Sequence, residues 1–241
     1  MLVNSTSNNS TARLGALDWQ EIEAGLNNDG HALTGVILKP DQCDAFIRMY
    51  DDQDRFRSRV VMARHNFGRG EYKYFAEPLP QLVSELRQAF YDPLSRIANR
   101  WAERLNQRER FPSTYDEFVE ICRRKSQTLP TPLMLRYEAG DYNCLHQDLY
   151  GEIAFPLQTA CVLSNRGEYS GGEFLLTEQR PRMQTRGEAI TIEQGEFIIF
   201  PNRWRPVGGS RGDYRVNVRH GVSRLRTGRR YSLGLIFHLS K

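Results

Sequence analysis

Two patterns of apolar residues divide the chain near Pro132. Upstream of it, apolar residues recur every three or four positions, which is the period of an amphipathic helix. Downstream, short β-rich runs are separated by Gly, Asn and Asp, as is typical of strands joined by turns. The predicted helices cover residues 17–30, 40–52, 82–105 and 114–125, with a short strand at 31–39. The predicted strands lie in PLMLRYEAG, AFPLQTACVLS, GEFLLTEQ, EAITIEQGEFIIFPN, YRVNVRHGVS and YSLGLIFHLS.

Individual residues support these helix boundaries. Asp18 is a suitable N-cap and Gly30 a suitable stop for the first helix, and Pro40 can occupy the first position of the second. Pro93 is expected to kink the long third helix. Several short strands at this spacing predict a barrel or a sandwich. We therefore expect an α+β fold in which N-terminal helices support a C-terminal β-barrel.

The domain organisation follows from the same patterns. Residues 1–14 are polar and are predicted to form a disordered tail, whereas residues 15–241 form a single domain. Within it, 15–130 is mainly helical support and 131–241 is the barrel. No repeat or Pro/Ser-rich linker interrupts the chain.

Composition indicates a soluble protein that remains in the cytoplasm. Hydrophobic residues make up 39% and charged residues 26% of the chain, which is ordinary for a globular domain. No apolar run approaches the roughly 18 residues of a membrane span, and the first residues lack the apolar segment of a secretory signal. The four cysteines are widely spaced without a Cys-x-x-Cys motif. That spacing argues against a zinc ribbon and a disulfide framework.

Arginine dominates the positive charge. The net charge is +4, and only four of the 33 basic residues are lysines. Arginine binds carboxylates and phosphates with two parallel hydrogen bonds, which lysine cannot do. Coding bias and surface ion pairs explain the total equally well.

A histidine and an aspartate, His146 and Asp148, lie near the end of the segment RYEAGDYNCLHQDLY, in which a strand is predicted to begin. Residues two apart in a strand point to the same face, so both side chains can reach one ion. Alone, this pair is more often a solvated turn than a metal site. The end of a later predicted strand supplies His220. Two histidines and one carboxylate form the facial triad of non-haem Fe(II), although zinc also accepts these ligands.

An arginine opens the last predicted strand, ten residues after His220. Arg230 is followed by Tyr231 and Ser232. If an arginine and a hydroxyl face into a barrel beside a metal, they can bind one carboxylate of a dicarboxylic acid whose other end chelates the metal. Taken alone, Arg230 is equally a surface charge in an arginine-rich turn.

Together, His-x-Asp, a distant His and Arg-x-Ser resemble the Fe(II)/2-oxoglutarate-dependent oxygenase superfamily. The resemblance covers roughly residues 130–240. Two branches are similar: prolyl hydroxylases, through RYxxGxYxxxHxD, and AlkB-type nucleic-acid demethylases, through RY-x₂-G-x₄-LHQD and the Arg-Tyr-x-Leu at 230–233. The whole chain also looks like bacterial oxygenases that act on damaged DNA. The resemblance implies a double-stranded β-helix (jelly-roll) barrel.

The same resemblance implies cofactors and roles. Fe(II), 2-oxoglutarate and O₂ are the implied cofactors, with His146, Asp148 and His220 as iron ligands. Arg230 would bind the C5 carboxylate of 2-oxoglutarate. Ser232 or Tyr137 would donate a hydrogen bond to the same carboxylate, and Tyr142 competes with Tyr137 for that role. The chain departs from the AlkB pattern at two positions, where Leu135 replaces an asparagine and Ile236 replaces a second arginine.

Substrate recognition is expected upstream of the barrel. The segment RHNFGRGEYKYF (64–75) combines cations with aromatic rings around two glycines, and these are the ingredients of single-strand binding. AlkB-type enzymes carry a nucleotide-recognition lid at a comparable place. A plain β-hairpin with aromatic cross-strand pairs is the alternative. The candidate substrate residues are Arg64, His65, Arg69, Tyr72, Lys73 and Tyr74. A second arginine-rich group, residues 202–220, leads to the third metal ligand.

Three functions are compatible with these residues. The favoured one is oxidative dealkylation of alkylated, single-stranded or damaged DNA or RNA. The second is hydroxylation of a prolyl residue, an amino acid or a small metabolite. The third is a non-enzymatic β-barrel binding module whose histidines are core residues. The pattern indicates no membrane partner, and it leaves the oligomeric state open.

Overall fold

The computed structural model describes residues 4–210 and 212–241. Five α-helices lie in the N-terminal half: α1 (Asn4–Gly15), α2 (Trp19–Asn28), α3 (Pro40–Met49), α4 (Gln81–Arg104) and α5 (Tyr115–Arg124). Asp18 caps α2 by accepting hydrogen bonds from the amides of Gln20 and Glu21. Thr114 caps α5, and Pro40 is the first residue of α3. The predicted helices are therefore confirmed. Pro93 lies inside the continuous helix α4.

Fourteen strands are described. The first four are β1 (Ala32–Val36), β2 (Phe56–Val61), β3 (Gly68–Arg69) and β4 (Glu71–Phe75). The next five are β5 (Leu133–Glu138), β6 (Tyr142–His146), β7 (Leu157–Val162), β8 (Tyr169–Gly171) and β9 (Phe174–Gln179). The last five are β10 (Arg186–Ile190), β11 (Glu196–Pro201), β12 (Trp204–Gly209), β13 (Gly212–Val222) and β14 (Leu225–Leu235).

These strands form two antiparallel sheets. The major sheet has eight strands in the order β1-β11-β7-β14-β5-β4-β2, with β8 paired to β14. The minor sheet has six strands in the order β10-β9-β13-β6-β3, with β12 paired to β13. Neighbouring strands in space are mostly distant in sequence, as a jelly roll requires.

Strand β11 shows how the core is divided. Phe197 and Ile199 pack with the helices, and the ring of Phe90 in α4 lies 5.1 Å from that of Phe197. Ile198 and Phe200 point the other way, into a second cluster shared with β9 and β13 of the minor sheet. Alternation along one strand thus separates a helix-facing layer from an interior between the two sheets.

The tail prediction is wrong for the described residues. Residues 4–15 form helix α1, and residues 1–3 of the predicted tail lie outside the described residues. The Ser10 hydroxyl donates to the Gln42 side chain at 3.0 Å, and Leu14 is buried in the core. The Arg13 guanidinium also donates to the carbonyl oxygen of Ile37, so polar as well as apolar contacts attach α1 to the domain.

The predicted division at residue 130 also needs correction. Strands β1, β2 and β4 come from the first half of the chain, yet they belong to the major sheet. The N-terminal half is therefore part of the sheet as well as its helical support. Among the described residues, no helix combines the length and apolarity needed to cross a membrane.

Candidate active site

Two strands of the minor sheet bring the predicted histidines together. His146 ends β6, and its cross-strand partner in β13 is His220. Directly opposed residues of an antiparallel pair share one face. Their ring centroids are accordingly 4.2 Å apart. Asp148 follows His146 by two residues and lies beside the same pair.

The three side chains form a compact group of possible ligands. The Nε2 atom of His146 lies 3.6 Å from Oδ1 of Asp148, and that of His220 lies 3.3 Å from Oδ2. One ligand atom from each residue can be chosen so that all lie within 4.8 Å of one another. Two imidazoles and one carboxylate in this arrangement fit a non-haem iron and leave coordination positions open.

A hydrogen bond orients the first histidine. Nδ1 of His146 lies 2.8 Å from the carbonyl oxygen of Cys144. With the proton on Nδ1 donated to that carbonyl, Nε2 presents its lone pair to the site. Such a contact on the outer nitrogen is typical of metal-binding histidines.

Asp148 is held at both its backbone and its carboxylate. Its amide donates to Oδ1 of Asn202 at 2.9 Å, and Nδ2 of Asn202 donates to its carbonyl oxygen. The Tyr150 hydroxyl donates to Oδ1 of Asp148 at 2.6 Å. Burial alone would raise the pKa of this carboxyl, but the hydrogen bond with His220, the charge of His146 and the hydrogen bond from Tyr150 lower it on balance. The carboxylate is thus ionised, as a metal ligand must be.

His220 is the most enclosed member of the triad. Its side chain is 8% exposed, and the rings of Phe174 and Phe200 lie at 6.0 Å and 4.7 Å. Burial, reinforced by His146, lowers the pKa of His220 to about 4. The imidazole is therefore neutral near pH 7, which is its metal-binding form.

A cavity of about 320 Å³ opens above the triad and extends between the two sheets. Arg230, Ser232 and Thr159 line it, and all three are buried. Within the described chain, Nε of Arg230 and Oγ1 of Thr159 have no hydrogen-bond partner. Buried polar atoms are rarely left unpaired, so these groups fit an anionic ligand such as the carboxylate of 2-oxoglutarate.

The two tyrosines proposed for the co-substrate occupy different places. Tyr137 in β5 is the cross-strand partner of Arg230, is fully buried and lines the cavity. The Arg230 guanidinium lies 5.9 Å from the Tyr137 ring centre. Tyr142 is not among the residues that line the cavity, and Arg224 lies over its ring. Leu135 and Ile236, the two departures from the AlkB pattern, both line the cavity with apolar side chains.

The candidate substrate residues separate into three groups. Tyr72 and Tyr74 line the cavity. The second group consists of Arg64, His65 and Arg69. Their side chains are exposed on the turn around Met62–His65 and on β3.

Lys73 alone forms the third group, and its predicted substrate role is wrong. Its side chain is buried, and Nζ donates to the backbone carbonyl of Tyr50 at 2.7 Å. Alternation along β4 places Glu71 and Lys73 on one face and Tyr72 and Tyr74 on the other. Lys73 therefore points away from the cavity.

Four residues of the site were not anticipated from the sequence: Tyr150, Asn202, Gln158 and Thr159. Tyr150 continues the two-residue spacing of His146 and Asp148, so the sequence did carry a signal for it. Gln158 and Thr159 sit in the apolar run of β7, and nothing in that run distinguishes them from structural polar residues. Asn202 follows β11 in an ordinary turn pattern.

A family model described as "Oxygenase, catalysing oxidative methylation of damaged DNA" matches residues 70–240. The chain belongs to this oxygenase family. The oxygenase is also 47% identical over 165 residues to uncharacterised proteins of two Mycobacterium tuberculosis strains, CDC 1551 / Oshkosh and H37Rv. Each match covers 68% of this chain and 71% of the relative.

Solved structures agree on the fold of this oxygenase. A Pseudomonas putida prolyl-4-hydroxylase matches with a TM-score of 0.52 and 13% identity, covering 90% of this chain and 96% of that one. A Burkholderia pseudomallei oxidoreductase of the 2OG-Fe(II) oxygenase family matches with a TM-score of 0.54 and 13% identity, covering 92% of both chains. The predicted α+β jelly roll is confirmed.

Membership of an oxygenase family shows that the protein is an enzyme, so the alternative of a non-enzymatic binding module is wrong. The oxygenase combines the fold of the iron- and 2-oxoglutarate-dependent enzymes with a His-Asp-His group that could bind iron. This fold and this group of side chains are consistent with the predicted cofactors Fe(II), 2-oxoglutarate and O₂.

Proposed function

We propose that this oxygenase removes alkyl groups oxidatively from the bases of single-stranded or damaged nucleic acid. The observation that carries the proposal is the aromatic wall of the cavity above the triad. The family description, which names damaged DNA, supports the same substrate class. Neither O₂ nor 2-oxoglutarate can donate a methyl group, so the cofactors favour removal of an alkyl group over its addition.

Three tyrosines form this aromatic wall. Tyr72 and Tyr74 pack edge to face with centroids 5.4 Å apart, and Tyr74 packs in the same way on Tyr150 at 6.2 Å. All three line the cavity, and the Tyr150 hydroxyl contacts the metal-ligand candidate Asp148. Flat rings with polar edges suit a nucleobase that has been flipped out of its strand.

The cavity mouth adds apolar and basic groups. Phe67 and Leu145 line the cavity yet remain 48% and 41% exposed. The ring of His65 stacks on Phe67 with centroids 5.4 Å apart. Arg64 and Arg69 are exposed on the same segment. Exposed aromatic surface beside cations is the arrangement that binds unstacked bases and phosphates.

The segment with these groups is attached to a metal-ligand strand. Strand β3 pairs with β6, and the amide of Cys144 donates to the Phe67 carbonyl at 2.9 Å. Cys144 is also the residue whose carbonyl contacts His146. We infer that residues 62–70 act as a lid whose position depends directly on the active-site strand.

Roles follow for the residues of the chain. When bound by His146, Asp148 and His220, iron with 2-oxoglutarate and O₂ supplies oxidation of an unactivated C–H bond. Arg230 holds the far carboxylate of the co-substrate, and the tyrosine wall orients the alkylated base. Hydroxylation of an N-methyl carbon yields a hemiaminal, which collapses to the free base and formaldehyde. Succinate and CO₂ are the other products.

A product assay tests the proposal. The protein is loaded anaerobically with Fe(II), and succinate and formaldehyde are measured after O₂ and 2-oxoglutarate are added with N-methylated or unmethylated single-stranded DNA. We expect methylated DNA to raise succinate and to release formaldehyde in equal amounts, and His146→Ala to abolish both. If methylated DNA and methylated RNA leave succinate at the basal rate of the iron-loaded protein, the nucleic-acid proposal fails. Peptides and small metabolites are then the substrates to test.

A further inference from the structure

A surface outside the cavity carries unpaired arginines around a tryptophan. We infer that this surface binds the nucleotides that flank the target base in a single-stranded substrate, an inference that rests on the proposed function. We call it the arginine face and define it by Arg203, Trp204, Arg215 and Arg219. It lies on the outer side of the minor sheet.

Strand register places Trp204, Arg215 and Arg219 on one face, and Arg203 immediately precedes β12. Trp204 in β12 is the cross-strand partner of Asn217 in β13. Residues 215, 217 and 219 alternate with the buried Val216 and Val218, so they point outward. Arg215 and Arg219 are thus about 13 Å apart along the strand, at roughly 3.3 Å per residue.

Two guanidinium groups contact the same indole. That of Arg203 lies 3.6 Å from the centre of the Trp204 ring, and that of Arg215 lies 5.2 Å from it. Arginine stacked on an aromatic ring keeps its hydrogen-bond donors free at the edges of the fork. The arrangement offers donors for phosphate and a flat surface for a base.

The arginines of the arginine face differ from nearby structural arginines, which form ion pairs with carboxylates. Arg104 forms an ion pair with Asp213, and Arg205 forms one with Glu178. In the described part of the chain, Arg203, Arg215 and Arg219 form no ion pair. Three cations without a carboxylate partner on one sheet face are complementary to a polyanion.

Gln147 connects the arginine face to the cavity mouth. It lies between the ligand candidates His146 and Asp148. Its Nε2 donates to Oδ1 of Asn217 at 2.8 Å and to the backbone carbonyl of Arg203 at 3.2 Å. Gln147 also lines the active-site cavity, so it contacts both the cavity and the backbone beside the arginine face.

A second cavity extends the same surface. It has a volume of about 350 Å³, and its walls include Arg203, Trp204, Phe111 and the half-exposed Leu149. Residues 149–156 separate it from the active-site cavity. Its walls also include Arg110 and the carboxylates of Glu109 and Glu152, so it is the aromatic and apolar part of the cavity that fits one unstacked base.

Binding of two lengths of substrate tests the inference. The full chain, loaded with Fe(II) and kept anaerobic without 2-oxoglutarate, is titrated by fluorescence anisotropy with a 12-nucleotide single strand that contains one N-methylated base. In Arg203→Gln/Arg215→Gln we expect affinity at 0.15 M salt to fall about tenfold, and the slope of log affinity against log salt to decrease by about 1.4. Turnover of an N-methylated mononucleoside, which has no flanking nucleotide and no phosphate, should fall less than turnover of the 12-nucleotide strand.

Arg48→Gln/Arg55→Gln provides the matched control. It removes the same formal charge from two exposed positions, one on α3 and one on the turn that follows, where Arg55 pairs with Asp52 at 3.2 Å. This variant should bind the 12-nucleotide strand within about twofold of the unmodified protein.

Different results overturn different conclusions. Unchanged affinity and salt slope in Arg203→Gln/Arg215→Gln, with the unmodified protein still releasing formaldehyde from both substrates, would overturn the arginine face alone. A loss of affinity equal to that in the control variant would also overturn the arginine face, because it would reflect the change in net charge only. If the unmodified protein binds the 12-nucleotide strand through Arg203 and Arg215 but releases no formaldehyde from methylated DNA or RNA, the arginine face stands and the proposed function fails.

Discussion

The ring of His220 lies 4.2 Å from that of His146 because the two residues are direct cross-strand partners in β13 and β6. The pairing of two strands that are distant in sequence therefore assembles two thirds of the candidate iron site. Asp148 completes it from the turn that follows β6. Any change that shifts this register would separate the ligands without altering one of them.

His146→Ala should abolish stoichiometric metal binding. Its side chain is 34% exposed, so the substitution removes a ligand with little loss of packing. We expect at least a hundredfold weaker binding of Fe(II) or Co(II), measured anaerobically by titration calorimetry. His65→Ala, on the lid, is the control and should bind metal normally. Retention of one tightly bound ion by folded His146→Ala would contradict the assignment.

Tyr150→Phe should weaken metal binding without emptying the site. The Tyr150 hydroxyl donates to Oδ1 of Asp148, and loss of a contact to a metal ligand typically costs about 10- to 100-fold in affinity. The phenyl ring keeps the contacts with Tyr74 and His238. Co(II) absorption and affinity are the measurements, and Tyr142→Phe is the control. Equal Co(II) affinity in the two variants would show that this hydrogen bond does not position the carboxylate.

Arg230→Gln should impair co-substrate binding far more than Arg229→Gln does. Arg230 is buried in the cavity wall, whereas Arg229 is exposed and pairs with Glu138 at 2.9 Å. Loss of a buried charge-assisted pair predicts about a hundredfold rise in the dissociation constant for 2-oxoglutarate. Binding to the Fe(II)-loaded protein, followed by the metal-to-ligand absorption band, checks this. A similar effect of both substitutions would place the carboxylate elsewhere.

Two tyrosine variants distinguish the competing assignments for the same carboxylate. Tyr137→Phe removes a hydroxyl from the cavity wall beside Arg230, and we expect about tenfold weaker 2-oxoglutarate binding from the loss of one hydrogen bond. Tyr142→Phe should have no effect. The reverse order of effects, in the same binding assay, would restore Tyr142 to the role that the resemblance allowed.

Local rules predicted only part of this site. Two-residue periodicity was enough to place His146 and Asp148 on one face, because alternation is local. The same rule, applied to EYKYF as a strand, would have separated Lys73 from Tyr72 and Tyr74. The contact of His146 with His220 depends on long-range pairing, which residue patterns do not determine. Ligand chemistry proposed His220 as the third member of the site, and the resemblance to the oxygenase superfamily supported that choice.

A buried ion pair between β12 and β9 identifies a substitution that should strongly lower the stability of the barrel. Arg205 in β12 and Glu178 in β9 are 1% and 3% exposed at their side chains. Arg205 also donates to the carbonyls of Asn27 and Asn28 at 2.6 Å and 3.3 Å, which attaches the end of α2 to the minor sheet. Glu178→Leu would leave a buried guanidinium without its counter-charge. We expect the free energy of unfolding to fall by about 3–5 kcal/mol, measured by urea denaturation.

Two further variants show whether the ion pair causes that loss. Glu188→Gln breaks an exposed pair with Arg186 and should change stability by less than about 1 kcal/mol. The double variant Glu178→Leu/Arg205→Met should recover much of the stability, because it removes both buried charges together. If the double variant instead has a lower free energy of unfolding than Glu178→Leu, the contacts of Arg205 with α2 contribute more to stability than its pairing with Glu178. Docking of α2 would then be what holds this end of the barrel.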